Sequence, residues 1–244
     1  MTKSLIIVLA LLCTYSHRGY TDEIEFPEEE LARESTLPVF DKQRAVLNRN
    51  VITDKHIELA IGGGLEMNEP YYSDYMFHAM GTYNFTERSA VNLLGLMWMD
   101  GLSDYGEQLK KGRATGPHPF QAFDASKAPH PKFGLFANYE FIAYYGKISI
   151  SKQGVMNLNT FAIAGLGYIN MDSSNAVGLN LGVGQNFFLT KNFGLRADLR
   201  WLIFQGPDPT SVKPLSPSKT YTAGQFGDHI NYNAQLGLSA VIIL

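Results

Sequence analysis

Several charged residues of this sequence alternate with apolar residues, and their spacing makes them candidates for a functional site. Between residues 195 and 203, Arg196, Asp198 and Arg200 alternate with apolar residues, so the three lie on one face of a β-strand. Four further polar residues hold the same kind of position in other segments: His56, Glu58, His78 and Glu140. Because a buried charge is costly unless it is paired, these residues predict a carboxylate–arginine network inside a barrel. The network either controls the passage of solutes or fills a narrow interior, and a filled interior is favoured.

Segments rich in Pro, Gly, Ser and His offer a second set of reactive side chains. They contain His118, His130 and His229 together with Asp124, Asp208 and Asp228. This spacing fits no zinc motif. Ser103 and Asp104 could join one of the histidines in a serine-type site, but nothing in the sequence fixes the geometry. We therefore predict no catalytic residue, no metal site and no cofactor, and a protein that is not an enzyme.

Eight segments of alternating or mainly apolar residues must position these side chains. They are 55–67, 74–85, 89–99, 132–145, 158–169, 176–188, 194–205 and 230–244. Each segment has about 10 to 15 residues, a length that suits a tilted strand crossing a bilayer. In 89–99 and 158–169 the alternation is blurred, and the sequence does not assign the faces of those two strands.

The connections between the segments alternate in length. Residues 86–88 and 189–193 form tight turns, whereas 100–131 and 206–229 are long. Short turns at one rim and long loops at the other are typical of bacterial membrane barrels. Two connections depart from this rule, since 146–157 is long for a turn and 170–175 is short for an external loop. An even number of strands places both termini on one side, which we expect to be the periplasm.

Alternation alone does not say which face of the sheet is inside. A soluble, lipocalin-like barrel would turn its apolar face inward around a ligand. The apolar face of the strands is nearly free of charge, however, and aromatic residues gather at strand ends, as at Tyr83 and Phe85. These features favour a membrane barrel with its apolar face in lipid. The balance of 20 basic against 23 acidic residues provides no basic patch for nucleic acid.

The first fifty residues differ in character from the rest. Residues 1–16 have the form of a cleaved secretory signal, with the acylation of Cys13 in a lipoprotein as the alternative. Residues 17–52 are rich in charge and predict a periplasmic segment before a barrel at 53–244. This segment also has five apolar residues that could contact a neighbouring subunit: Phe26, Leu31, Leu37, Val39 and Phe40. The segment is either a simple lead-in to the barrel or a plug or clasp between subunits.

Several short motifs in order along the chain resemble the myxobacterial-type outer-membrane β-barrel domain family. They lie at 25–35, 37–41, 101–105, 138–141, 143–147 and 204–209. The resemblance covers essentially the whole mature chain, and it implies an outer-membrane barrel of poorly defined function without established catalytic residues. One departure from most outer-membrane barrels is the final residue, Leu244, where Phe or Trp is usual.

Together these features predict an all-β protein, a transmembrane antiparallel up-and-down β-barrel of about eight strands in the bacterial outer membrane. We expect an envelope-structural or self-assembling protein that contacts membrane lipid and forms a homo-oligomer. Small residues on the lipid face would allow close approach: Ala79, Gly81, Ala137, Ala197 and Ala234. Two other functions stay open, a porin-like passive channel for small solutes and a lipid-modifying enzyme of the external rim.

Overall fold

Eight antiparallel strands form a closed barrel. The computed structural model describes residues 50–73, 75–99, 101–112, 122–149, 155–171, 174–213 and 215–244. The strands are β1 (Ile57–Glu66), β2 (Tyr75–Thr86), β3 (Ser89–Trp98), β4 (Pro131–Ser149), β5 (Val155–Met171), β6 (Ser174–Phe188), β7 (Phe193–Pro207) and β8 (Asp228–Ile243). Each strand pairs with the next in sequence, and β8 pairs with β1 to close the ring. The predicted fold class is therefore confirmed.

All eight predicted strands are present, but some of their ends were placed wrongly. The connection expected at 146–157 is only 150–154, because β4 continues to Ser149 and β5 starts at Val155. Likewise, 170–175 reduces to residues 172 and 173. The sequence does not predict this extension because polar and apolar residues do not alternate at Tyr144, Tyr145 and Gly146. The register also shifts between Ile142 and Tyr144. The predicted signal at 1–16, nearly all of 17–52 and the five subunit-contact residues lie outside the described part of the chain.

The two faces of the sheet differ sharply in chemistry. Outward-facing apolar side chains are exposed, with Leu195 at 47% and Trp201 at 39%, while the intervening Arg196 and Arg200 are each 2% exposed. The outward positions of β1 to β3, of β5 to β7, of β4 from 133 to 141 and of β8 from 230 to 242 have no charged side chain. This arrangement matches the faces that the sequence assigned to the alternating strands.

The blurred alternation of β3 and β5 has a simple cause. The inward positions of these two strands also hold apolar residues, including Leu94, Leu96 and Trp98 in β3 and Phe161 and Ile163 in β5. With apolar residues on both faces, the period of two disappears from the sequence. Phe161 and Ile163 form a small cluster with Ile142. The inward residues of β3 belong to an apolar layer that crosses the barrel interior: Met76, Met80, Leu94, Leu96, Trp98, Phe136, Ile169, Met171, Leu202 and Phe204.

The longer connections at one rim fold into an ordered cluster. A short helix, α1 (Asp104–Lys110), begins after Ser103, whose hydroxyl accepts a hydrogen bond from Gly106 N. Three 3₁₀ turns follow at Ala125–Lys127, Pro209–Ser211 and Ala223–Gln225. Ala128, Leu215 and Phe226 form a small apolar core among these loops. No helix in the described ranges is long and apolar enough to cross a membrane.

Candidate functional site

The strongest interaction inside the barrel is the ion pair between Glu140 of β4 and Arg196 of β7. The guanidinium donates two hydrogen bonds to the carboxylate, at 3.2 Å from Nη1 to Oε1 and 3.0 Å from Nη2 to Oε2. Both side chains are buried, and the guanidinium also lies 3.7 Å from the centre of the Phe161 ring. Two parallel charged hydrogen bonds fix the relative orientation of β4 and β7 across the lumen.

Asp198 links this pair to a second arginine. Its carboxylate accepts a hydrogen bond from Arg200 Nε, and its Oδ1 lies 3.7 Å from Arg196 Nε. The neighbouring Gly237 makes room for the cluster, since a Cβ at that position would lie 2.9 Å from Arg200 Nη2 and 3.1 Å from Asp198 Oδ2. Two arginines therefore share the charge of Asp198 and Glu140 within one layer.

The other residues predicted for this network occupy its edges. His78 is fully buried, with Nε2 at 2.6 Å from Ser239 Oγ. Glu58 is buried and accepts a hydrogen bond from Asn84 Nδ2 at 2.8 Å. His56 departs from the prediction, because it precedes β1 and its Nδ1 contacts the Asp54 carbonyl oxygen at 2.6 Å. The prediction misplaced His56 because it extended the alternation one residue beyond the strand. His56 lies half-buried at the rim rather than in the lumen.

A chain of side-chain amides crosses the lumen next to the charged layer. Asn180 donates to Asn138 at 2.8 Å, Asn138 donates to Asn92 at 3.1 Å, and Asn92 donates to Thr82 at 2.7 Å. The register places Gly165 of β5 between Asn138 and Asn180. Because this glycine has no side chain, Asn180 of β6 reaches across β5 to Asn138 of β4.

A cavity of about 170 Å³ lies at the end of the lumen next to the long loops. Its buried wall contains Glu66, which is 5% exposed. Trp98 Nε1 donates to Glu66 Oε2 at 2.7 Å, and Asn233 Nδ2 donates to Glu66 Oε1. The sequence analysis missed Glu66 and Trp98. Glu66 shares the inward parity of Glu58 within β1, so extending the alternation along the strand would have found it.

Aromatic rings form part of the remaining walls of this cavity. Tyr72 stacks on His130 with ring centres 4.6 Å apart, and Tyr71 packs against Phe123 at 5.5 Å. Burial raises the pKa of the Tyr71 phenol above its usual value, and the negative charge of nearby Tyr105, Glu69 and Asp208 raises this pKa further.

The loop residues considered for catalysis hold the loops in place instead. Ser103 caps α1 and its hydroxyl also donates to the Pro70 carbonyl oxygen at 2.5 Å. Asp124 and Asp208 each cap a 3₁₀ turn, and Asp228 accepts a hydrogen bond from Gln205. No cluster of three potential metal ligands occurs in the described ranges, and His118 lies outside them.

These features define the class of protein. The ring has no open edge, its outer face is apolar and free of charge, and its polar residues point inward, which is the arrangement of a transmembrane β-barrel rather than of a soluble one. Exposed aromatic residues flank the outer face near both rims, with Tyr75, Phe133 and Tyr232 toward the loops and Tyr83 and Tyr144 toward the turns. Such aromatic bands are typical of the two membrane–water interfaces.

Comparisons with known proteins found only distant similarity, among solved structures. No family model and no curated protein matches the sequence. The N-terminal β-barrel domain of Pseudomonas aeruginosa OprF is similar at 14% identity and a TM-score of 0.39, covering 78% of this chain and 98% of that one. Neisserial surface protein A is similar at 10% identity and a TM-score of 0.34, covering 78% of this chain and 95% of that one. Ail, the attachment invasion locus protein of Yersinia pestis, is similar at 14% identity and a TM-score of 0.33, covering 78% of this chain and 99% of that one. At these values the likeness carries no functional information.

Proposed function

We propose that this chain is an integral protein of the bacterial outer membrane with a sealed lumen and an envelope-structural role. The observation that carries the proposal is the continuous filling of the barrel interior. A charged layer built on Glu140 and Arg196, an amide layer built on Asn138 and an apolar layer built on Phe136 follow one another along the barrel axis. Each layer spans the lumen, and a passive channel for solutes would need a gap through all three.

The apolar layer is the strongest barrier of the three. Leu94, Leu96, Phe136, Ile169 and Leu202 are each at most 1% exposed, so these side chains contact one another across the lumen. A hydrated ion cannot shed its water into such a layer without a large desolvation cost. The apolar layer therefore favours a structural role over the porin-like alternative.

Conductance across a planar lipid bilayer tests this proposal. We expect the purified barrel to give no steady openings on the nanosiemens scale, whereas a general porin reconstituted in the same way provides the positive control. Slow migration of the unboiled protein on a gel, lost after boiling, would show that the reconstituted barrel is folded. Steady openings from folded protein would reject the structural role and support the channel.

The orientation in the membrane forms part of the proposal. Long loops at one rim and short turns at the other support loops at the cell surface and termini in the periplasm. The only cysteine of the chain is Cys13, so a new cysteine in the barrel gives a clean label. In intact cells, an impermeant maleimide should label Ser218→Cys in the long loop before β8 but not Arg88→Cys in the turn before β3. The reverse labelling pattern would invert the orientation.

Self-association also stays a proposal, and the register sharpens it. Ala79 and Gly81 lie on the outward face of β2 and Ala137 on that of β4, whereas Ala197 and Ala234 lie on β7 and β8, and β1 separates the two sets. Two separated surfaces suit a head-to-tail contact between subunits better than one patch would. The mass of the detergent-extracted protein, intact and after deletion of residues 22–48, tests this. A monomer at all concentrations would refute it, and an unchanged oligomer after the deletion would exclude a role for the segment.

A further inference from the structure

We propose that the cavity at the loop end of the barrel is a binding site for a primary alkylammonium group. This cavity lies on the loop side of the apolar layer, whose residues Trp98, Met171 and Phe204 form part of its wall, and the structural role proposed above does not require it. The cavity is bounded by the last residue of β1, the last residue of β3, the first residues of β8 and the loops that follow β1 and β7. The proposal rests on four properties of its walls: charge, hydrogen-bonding capacity, aromatic surface and size.

The first property is an excess of negative charge. Three carboxylates, those of Glu66, Glu69 and Asp208, line the cavity, while no lysine or arginine does so among the described residues. Glu66 is the central group because it is 5% exposed and its hydrogen-bond donors, Trp98 and Asn233, are both neutral. A buried carboxylate held by neutral donors is stabilised further when a cation approaches it.

The second property is the remaining hydrogen-bonding capacity of Glu66. A carboxylate offers about four acceptor positions, and Trp98 and Asn233 use one on each oxygen. The remaining lone pairs can accept N–H groups from an incoming ligand. A primary ammonium has three such donors, whereas a quaternary ammonium has none. This capacity selects the primary ammonium.

The third and fourth properties are aromatic surface and size. The rings of Tyr71, Tyr72, Trp98 and Phe204 all contribute to the walls, and aromatic faces attract a cation that has lost its water. The volume of about 170 Å³ is comparable to that of a cavity able to hold one benzene molecule. The site therefore accepts a small ammonium head with a few carbon atoms, from a soluble amine or from the headgroup of an ethanolamine lipid.

The two tryptophans of the chain make a direct binding assay possible. Trp98 lies in the cavity wall, while Trp201 faces outward from β7 and is 39% exposed. In a Trp201→Phe protein, Trp98 is the single fluorescent reporter, and its indole N–H contacts the same carboxylate that the ligand would contact. Ethylammonium is the probe, and ethanol, which has a similar size and no charge, is the matched control.

We expect ethylammonium to change the Trp98 emission in a saturable way and ethanol to leave it unchanged. In the same background, Glu66→Gln should weaken ethylammonium binding by about tenfold or more, because the charged hydrogen bonds are lost. Equal responses to the two probes, no saturable response, or unchanged affinity in Glu66→Gln would each overturn the proposal. The gel assay tests whether Glu66→Gln folds. If it does not, the comparison of ethylammonium with ethanol on the Trp201→Phe protein still tests the proposal.

The lipid composition of the vesicles identifies the source of the ammonium group. The titration is repeated in vesicles of phosphatidylglycerol alone and in vesicles that also contain phosphatidylethanolamine. If the ethanolamine headgroup occupies the cavity, this lipid will shift the Trp98 emission by itself and reduce the response to added ethylammonium. If the response is the same in both vesicles, a soluble amine is the ligand. Both results support the ammonium site and differ only in the source.

Discussion

At the scale of single residues, the Glu140–Arg196 pair is where this barrel is most sensitive to substitution. Both side chains are at most 2% exposed, so the loss of Glu140 leaves the buried Arg196 guanidinium without its bidentate partner and dependent on Asp198, which Arg200 also contacts. We expect Glu140→Gln to lower the free energy of unfolding by about 3–5 kcal/mol. Urea unfolding in detergent micelles, followed by circular dichroism and gel mobility, measures this change.

The chain provides a matched control for that experiment. Glu107 of α1 and Lys111, the residue that follows the helix, also form an ion pair, at 3.6 Å, but their side chains are 46% and 65% exposed. Glu107→Gln should therefore change the free energy of unfolding by less than about 1 kcal/mol. The double variant Glu140→Gln with Arg196→Met should recover part of the lost stability, because it removes the unpaired charge. Unfolding of Glu140→Gln at the urea concentration of the parent protein would contradict the importance of the pair.

The same residues show how far sequence reasoning reaches. The inward position of Arg196, Asp198 and Arg200 followed from alternation alone, because each of them has apolar neighbours on both sides. Which carboxylate pairs with which arginine did not follow. The partners Glu140 and Arg196 are 56 residues apart, and the register of three successive strand pairings brings them together. Glu66 was missed because the alternation of β1 was not followed past Gly62, whereas its partners, Trp98 and Asn233, come from other strands whose register the sequence does not contain.

At the scale of the strands, β5 contributes space rather than contacts where it passes between two asparagines. A Cβ on Gly165 would collide with the Ala137 carbonyl oxygen and with Asn138 Oδ1, which accepts the hydrogen bond from Asn180. We expect Gly165→Ala to break that bond and to lower the free energy of unfolding by about 1–3 kcal/mol through overpacking. Urea unfolding measures the loss.

The comparison is Gly81→Ala, on the outward face of β2. A Cβ on Gly81 meets only Leu59 Cδ2, at 3.9 Å, so this substitution should leave the stability unchanged or slightly improve it. Equal effects of the two substitutions would show that loss of glycine flexibility, and not the collision in the lumen, governs the stability of these strands.

The strands were predictable where one face is polar and the other apolar. In β7 and β8 this condition holds along nearly the whole strand, and the faces predicted for both are those observed. In β3 and β5 it fails, because the apolar layer of the interior needs apolar residues from these strands. The extended ends of β4 and β5 were missed because the alternation of β4 is interrupted at the register shift between Ile142 and Tyr144.

At the scale of the whole barrel, the contact between β1 and β8 is the weakest part of the ring. β1 has only ten residues and contains Gly62, Gly63 and Gly64 in succession, whereas β4 has nineteen residues. We expect the amide hydrogens of β1 to exchange with solvent faster than those of β4 between 133 and 141, because local opening follows the least-packed element. Hydrogen exchange in detergent micelles, read by mass spectrometry, measures the difference.

Gly63 offers a way to test the cause of that weakness. It faces outward, and a Cβ there would meet the Met76 carbonyl oxygen at an ordinary 3.4 Å. Gly63→Ala should therefore slow the exchange of β1 by reducing the freedom of the open strand. Equally slow exchange in β1 and β4 of the parent protein would contradict a weak contact between the first and last strands.

The pairing of β1 with β8 also determines when this molecule can become stable. Glu58 of β1 lies opposite Ile243 of β8, so β1 can pair with its second neighbouring strand only after nearly the entire chain has been synthesised. Until then both ends of the sheet present unpaired backbone groups flanked by apolar side chains, a surface that other chains would readily join. The ring cannot grow to stability strand by strand. Its biosynthesis therefore depends on keeping a complete, unfolded chain from aggregating until one closing event supplies the missing hydrogen bonds.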